Sequence, residues 1–227
     1  MSYIVRLCVL MVIIALPHAV FAADKARLNT VVKEVQRVYG AMDAFQAAFT
    51  QTLTHRESDS FEVRKGELLF KKPLFIRWET AKPHAELLLM NRRGIWNYLP
   101  DEKLVYCYEP DLAHDSHAFL HVVTGQARLD QDFIVEDAGK EDGLLRLRLY
   151  PREPTQQMVE AGIWVDLAAY LIKKAVIIDF FGNSNEVAFT GHTSKLKLEE
   201  KSFDFTPPKG VAVEDRRKSG VREQLFK

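Results

Sequence analysis

His114, His117 and His121 are the residues of this chain whose type and spacing could support metal chemistry. Residues three and seven positions apart lie on one face of a helix, so these imidazoles, with Asp115 beside them, could bind a divalent cation. A polar shoulder on a covering helix gives the same spacing, and so short a pattern often matches without a function. We therefore predict no metal site.

Ser116 stands between Asp115 and His117, which are the residue types of a hydrolytic triad. Triads, however, are assembled by the fold from separate segments, and no G-x-S-x-G elbow surrounds this serine. The sequence also contains no P-loop, no G-x-G-x-x-G and no Cys-x-x-Cys. We predict that the protein is not an enzyme and needs no cofactor.

The N-terminus has the features of an export signal over residues 1–22. Arg6 precedes an apolar run that Pro17 interrupts, and Val20 and Ala22 supply the small residues of a cleavage site. A membrane anchor would need about 20 apolar residues in a row. We predict cleavage after Ala22 and a mature protein outside the cytoplasm.

Composition bounds the class of the mature chain, residues 23–227. Hydrophobic residues make up 47% and charged residues 27% of the sequence, which excludes a disordered protein. Cleavage would remove Arg6 and no acidic residue from a chain with 31 of each sign, so the mature protein lacks the basic excess of a nucleic-acid binder. No Gly/Ser/Pro linker divides the chain, so we predict one domain.

Cysteine usage argues against lipidation and internal disulfides. A bacterial lipoprotein has its acylated cysteine directly after the cleavage site, where this chain has Ala23. Cys8 would leave with the signal, so Cys107 would be alone. We interpret Cys107 as a small apolar strand residue.

Helical periodicity is confined to two places. Apolar residues recur at helical spacing within 26–39, and Gly40 follows as a plausible C-cap. Between 111 and 131 the strand rhythm stops, and the run 119–123 predicts a short helix, with another turn of helix within 127–133. Helices inserted in a series of strands are expected to cover part of the structure that the strands form.

Alternating apolar residues predict strands over most of the remaining chain. The runs are 45–54, 61–70, 74–80, 85–90, 95–98, 104–108, 132–137, 144–150, 161–166, 171–180, 185–190, 194–200 and 202–205. Many short strands without intervening helices favour an antiparallel meander that curls into a barrel or part of one. Leu74, Ile76 and Trp78 share one face, as do Trp96 and Tyr98. Such side chains either fill an ordinary core or line an apolar cavity.

Several motifs together resemble the periplasmic outer-membrane lipoprotein carrier (LolA-like) family. Residues 66–73 resemble its G-x-L-x-x-K-R-P motif, 76–78 its F-R-W, 96–98 its W-x-Y and 203–213 its F-x-F-x-P-P-x-G-V-x-V ending. These motifs occur in the family's order and cover most of the mature chain.

The resemblance implies a mainly β (α+β) fold, a single-domain unclosed antiparallel β-barrel with an α-helical lid over an apolar concave face. It also implies a periplasmic chaperone that we expect to be a monomer. That chaperone takes acylated lipoproteins from an inner-membrane ABC-type release complex and passes them to an outer-membrane receptor. Acyl chains would contact Leu74, Ile76, Trp78, Trp96, Phe119, Leu120, Val122 and Val123.

Two departures from the family pattern concern the lid. The family often has an arginine before the proline that ties the lid to the barrel, and this chain has Lys72, which keeps the charge but not the planar fork. His121 places a titratable group in an apolar lid, so we hypothesise that its protonation loosens closure. Alternatives are an outer-membrane lipoprotein receptor of the same fold, a lipid-binding sensor module and an enzyme of lipid metabolism.

Overall fold

The computed structural model describes residues 16–73, 75–110, 118–194 and 196–217, with side chains from Asp24 onward except those of Ala118 and Phe119. The helices are α1 (Leu16–Ala41), α2 (Ala118–Val123) and α3 (Leu129–Asp132), and a 3₁₀ turn covers Glu200–Phe203. The first six strands are β1 (Ala44–His55), β2 (Ser60–Lys71), β3 (Phe75–Thr80), β4 (Glu86–Asn91), β5 (Gly94–Leu99) and β6 (Leu104–Tyr108). The remaining strands are β7 (Phe133–Glu141), β8 (Leu144–Pro151), β9 (Glu160–Asp166), β10 (Leu171–Ile178), β11 (Ser184–Thr193) and β12 (Ala212–Asp215).

All twelve strands form one sheet in the order β12-β6-β5-β4-β3-β2-β1-β11-β10-β9-β8-β7. Neighbours are antiparallel except β12 and β6, which run parallel. The two edge strands do not pair with each other within the described chain, so the barrel stays open. This architecture confirms the predicted mainly β, unclosed half-barrel with few helices.

The C-terminal region differs from the prediction. Residues 196–199 have no regular structure and residues 200–203 form the 3₁₀ turn, so the strands predicted over 194–200 and 202–205 are wrong. Phe203 is fully buried because it packs against Phe75, with ring centroids 5.4 Å apart, rather than because it alternates within a strand. The strand that was not predicted, β12, has four exposed residues, so alternation gives it no signal.

Helix α1 is longer than the predicted 26–39. Val31, Val32 and Val35 are buried at helical spacing, which is the physical basis of the prediction. The predicted cleavage site after Ala22 lies within α1, and cleavage itself stays a prediction. No helix in the described part of the chain is both long and apolar enough to span a membrane.

The main core lies on one face of the sheet, which we call the concave face, because α1, α2 and α3 pack on it. Directly paired residues share a face, so the register assigns Ile76, Met90 and Ile95 to this face together with Phe45 and Phe70. All five are at most 2% exposed. The opposite, convex face is covered in part by the segment around Phe203.

Candidate functional site

The candidate site is the concave face, which apolar side chains line from one edge of the sheet almost to the other. Phe49 and Trp78 pack at its centre with ring centroids 4.1 Å apart. The other buried side chains that line it include Phe45, Ala47, Leu68, Phe70, Ile76, Leu88, Met90, Leu145, Leu147, Leu149, Ile163, Ala175, Val187 and Phe189. Carbon-lined and without a cluster of charges at its centre, this surface suits an apolar ligand.

Two helices supply the cover. Val31, Val35 and Tyr39 of α1 and Leu120 and Val122 of α2 are each at most 5% exposed and belong to the same cluster as the concave side chains. A cleft of about 160 Å³ lies between the end of α1 and the loop after α2. It is smaller than the range of about 300–1,000 Å³ typical of ligand pockets. Because the apolar side chains of these helices are buried against the concave face, we call this arrangement the closed form.

Most of the described residues predicted to contact acyl chains come together. Ile76 and Trp78 project from β3 into the buried cluster that Leu120, Val122 and Val123 enter from α2. The contact with acyl chains itself stays a prediction. Leu74, the side chain of Phe119, and the segment 111–117 with His114, Ser116 and His117 lie outside the described residues.

Trp96 is not part of this site, which corrects the prediction. Trp96 pairs with Leu89, and Leu89 pairs with Arg77, so Trp96 shares a face with Arg77 and lies opposite Ile76. On the convex face its ring has the Arg93 guanidinium 5.9 Å from the centroid. Alternation correctly puts Trp96 and Tyr98 together, but it does not state which face of the sheet is concave.

Polar contacts tie α1 to its surroundings. The Lys72 ammonium donates a hydrogen bond to the carbonyl of Gly40 in the last turn of α1. Gln36 exchanges two hydrogen bonds with Asp130 of α3, at 3.0 and 3.3 Å. These bonds are exposed, so each contributes little stability, and a reversible lid is compatible with them.

Tyr39 is an anchor of the lid that the sequence did not single out. Its hydroxyl accepts a hydrogen bond of 3.1 Å from the backbone N–H of Ile172, and its ring meets Phe45 edge-on at 6.2 Å. Burial raises the pKa of Tyr39, so the hydroxyl stays neutral. The ring also faces Gly125, which lies two residues after the last residue of α2, a position typical of a C-cap glycine.

His121 lies half-buried in the lid, and burial lowers the pKa of its imidazole against the opposing effect of Asp132. Burial also lowers the pKa of His192, which stacks on Phe45 at 4.9 Å. Above about pH 6.5 both groups are therefore mainly neutral in the closed form. Among the described residues, no cluster of three or more histidine, cysteine or acidic side chains could hold a metal ion.

Acidification is expected to loosen the lid. Well above pH 6.5, the ordinary pKa of histidine, both the closed and the exposed imidazole are neutral, so the closed form keeps its full stability. As the pH falls through the window between that value and the lowered pKa of His121, exposed forms bind protons first and closure loses stability. Binding of a hydrophobic dye between pH 5 and 8 should rise on acidification, and His121→Leu should flatten the rise. An affinity independent of pH in the wild-type protein would contradict this expectation.

The fold and the site together define a protein of the half-barrel class, with an apolar concave face under a helical cover. The model of the family described as outer membrane lipoprotein carrier protein LolA matches residues 41–206. Since this is most of the chain, the chain belongs to that family, as the sequence motifs predicted.

Relatives support this assignment at modest identity. A protein of Xanthomonas campestris pv. campestris strain B100, named outer-membrane lipoprotein carrier protein, is 27% identical over 197 residues, 85% of this chain and 88% of its own length. One of the same name from Bordetella avium strain 197N is 28% identical over 216 residues, covering 93% and 97%. The crystal structure of a conserved protein from Thermus thermophilus has a TM-score of 0.54 at 14% identity, covering 83% of this chain and 98% of that one, which shows the shared fold.

Proposed function

We propose that this protein carries acylated lipoproteins across the periplasm. It would be exported by the signal over residues 1–22 and would accept its cargo from an inner-membrane ABC-type release complex. It would then deliver the cargo to an outer-membrane receptor. The observation that carries the proposal is the apolar concave face, which the chain's own helices cover with apolar side chains. No covalent chemistry is required.

The energetics favour reversible exchange between lid and cargo. Each buried methylene of an acyl chain contributes about 0.8 kcal/mol, so a chain that displaces the lid gains a large transfer free energy. The lid side chains lose their own burial when they leave the sheet, at about 25 cal/mol per Å² of apolar area. The two effects oppose each other, so cargo is held strongly enough to cross water and weakly enough to be released.

Mass spectrometry of the protein isolated gently from its native periplasm tests the proposal. Co-purifying lipoproteins with acylated N-termini are the expected result. Free lipid or glycolipid would indicate a different cargo on the same face, and a protein that never carries lipid would overturn the proposal.

Two tryptophans on opposite faces provide a matched control. Trp78→Ala removes a ring from the concave face, and Trp96→Ala removes one from the convex face. If the concave face binds the acyl chains, only the first substitution lowers the yield of bound lipoprotein at equal folded protein. Equal losses from both variants at equal folded protein would contradict binding at the concave face.

Lys72→Leu is expected to change cargo release more than folding stability. The substitution removes the hydrogen bond to the Gly40 carbonyl, which joins the turn after β2 to the end of α1. An exposed bond of this kind contributes about 1 kcal/mol or less to the unfolding free energy. Because the bond must break when α1 moves, its loss should speed release of a bound lipopeptide severalfold, measured by stopped-flow fluorescence.

The neighbouring Lys71 is the control. Its ammonium donates a hydrogen bond of 2.7 Å to the carbonyl of Leu198, in the C-terminal segment rather than in the lid. Lys71→Leu should therefore leave release unchanged, whereas Lys72→Arg should slow it. If Lys72→Leu lowers stability and leaves release as in the wild type, Lys72 is merely structural.

A further inference from the structure

The concave face also has a polar part, to which the proposed function assigns no role. The strand register extends the face beyond Trp78 to four polar residues, which we call the polar end cluster: Glu62, Arg64, Glu86 and Asn97. Asn97 pairs with Leu88, the direct neighbour of Trp78. Neighbouring strands lie about 4.8 Å apart, so Asn97 lies two strands and roughly 10 Å from Trp78 across the concave face, with Leu88 between them.

The cluster holds more negative than positive charge. Arg64 lies between two carboxylates: its Nη1 is 3.0 Å from Glu86 Oε2, and its Nε donates to Glu62. The Arg64 and Glu86 side chains are only 18% and 17% exposed. Burial raises the pKa of Glu86 in spite of Arg64 and of a hydrogen bond with the Asn97 side chain, so this carboxylate is poorly solvated. One cation against two carboxylates leaves capacity to accept a further hydrogen bond.

Asn97 supplies an acceptor that lacks a donor. Asn97 is 7% exposed, and its buried Oδ1 atom has no hydrogen-bond partner within the part of the chain that the structure describes. Buried acceptors are nearly always satisfied, because an unsatisfied one forfeits its hydration. The concave location of Asn97 means that a ligand on this face could bring the missing donor.

We propose that the polar end cluster binds the amide N–H groups at the acylated N-terminus of the cargo. This inference rests on the proposed function and adds a polar binding region to the same site. The N-terminal residue of such a lipoprotein carries acyl chains and is followed by a peptide bond, so an N–H donor lies next to the apolar chains. With the chains lying across Trp78 and Leu88, that donor reaches Asn97, and the Glu86 carboxylate accepts a second donor from the same peptide.

The test compares two probes with equal acyl chains, a synthetic N-acylated lipopeptide and a fatty acid in the form of its methyl ester, which has neither an amide N–H nor a charge. The wild-type protein should bind the lipopeptide more tightly. Asn97→Leu should weaken lipopeptide binding about tenfold, as expected when one buried hydrogen bond is lost. It should leave binding of the methyl ester unchanged. Glu86→Gln, which keeps the shape of the side chain, should lower the same preference without affecting binding of the methyl ester.

Asn185→Leu is the matched control. Asn185 lies on the same face in β11, but its Oδ1 already accepts a hydrogen bond of 2.9 Å from Gln51. This substitution should not change the preference for the lipopeptide, and thermal unfolding of each variant would identify any that fails to fold. If Asn97→Leu and Glu86→Gln both retain the wild-type preference, water satisfies Asn97 and the inference is overturned. If the wild-type protein binds neither probe, the proposed function itself fails.

Discussion

Replacing Gly66 with alanine is expected to destabilise the protein by more than about 3 kcal/mol, the upper end of ordinary overpacking costs. Gly66 lies in β2 between Phe49 of β1 and Thr80 of β3. A Cβ atom there would overlap the backbone carbonyl of Glu79 and would lie 2.6 Å from Cζ of Phe49. The carbonyl cannot move without opening the ladder between β2 and β3, and the Phe49 ring is already held against Trp78. Urea unfolding followed by circular dichroism measures the loss.

Gly162 is the matched control for Gly66, because it also lies in the interior of a strand. The nearest atom to a Cβ at Gly162 would be Cγ1 of Val176 at 3.1 Å, a side-chain atom that can shift by a few tenths of an ångström. Gly162→Ala is therefore expected to cost less than about 1 kcal/mol, since the neighbour can adapt. Similar losses at the two positions would show that the space above Gly66 is not the reason for a glycine there.

Alternation was informative wherever one face of a strand is buried by the lid. Leu145, Leu147 and Leu149 are at most 1% exposed while the intervening arginines remain accessible, and β8 was predicted accordingly. Phe45 and Phe49 of β1 follow the same rule. These strands could be predicted because their burial has a period of two and comes from neighbours on a single face.

The predictions that failed depend on contacts between distant segments. Phe203 and Phe205 alternate like strand residues, yet they pack on Phe75 and Tyr98 across the convex face. The same contacts give the convex face its own buried aromatic side chains. Both faces therefore have aromatic residues in alternation, and the sequence pattern does not show on which face Trp96 lies. Cys107 is buried on that face too, as the small apolar residue that was expected.

The residues of the candidate site also fall into those that the sequence identified and those that only the structure shows. Lys72 was identified from the resemblance to the family, since nothing in the spacing of a single lysine predicts a bond to the end of α1. Tyr39 and Asn97 were not identified as site residues, because their roles depend on Ile172 and on strand pairing, respectively. Sequence periodicity predicts which side chains on a strand or helix are buried. The partners of a residue across the sheet can be identified only from the strand register.

Gly125→Ala is expected to separate the two lid helices. Gly125 has a φ of +67° and ends α2 in a Schellman motif, with hydrogen bonds from its own N–H to Val122 and from Gln126 to His121. A Cβ atom would also overlap the ring of Tyr39, whose Cε1 would be 2.6 Å away. The ring cannot swing aside while Ile172 holds its hydroxyl, so α2 must move. We expect a loss of about 2–5 kcal/mol from backbone strain and overpacking together.

Because the apolar face lies under these helices, Gly125→Ala should also raise the binding of a hydrophobic dye severalfold at temperatures where the protein is folded. Gly143→Ala separates backbone strain from overpacking against Tyr39. Gly143 has a φ of +79° in the turn between β7 and β8, but nothing lies within 4 Å of its Cβ position. The control should cost only about 1–2 kcal/mol of strain and leave dye binding unchanged. Equal dye binding by the two variants would mean that the contact between Gly125 and Tyr39 does not keep the lid closed.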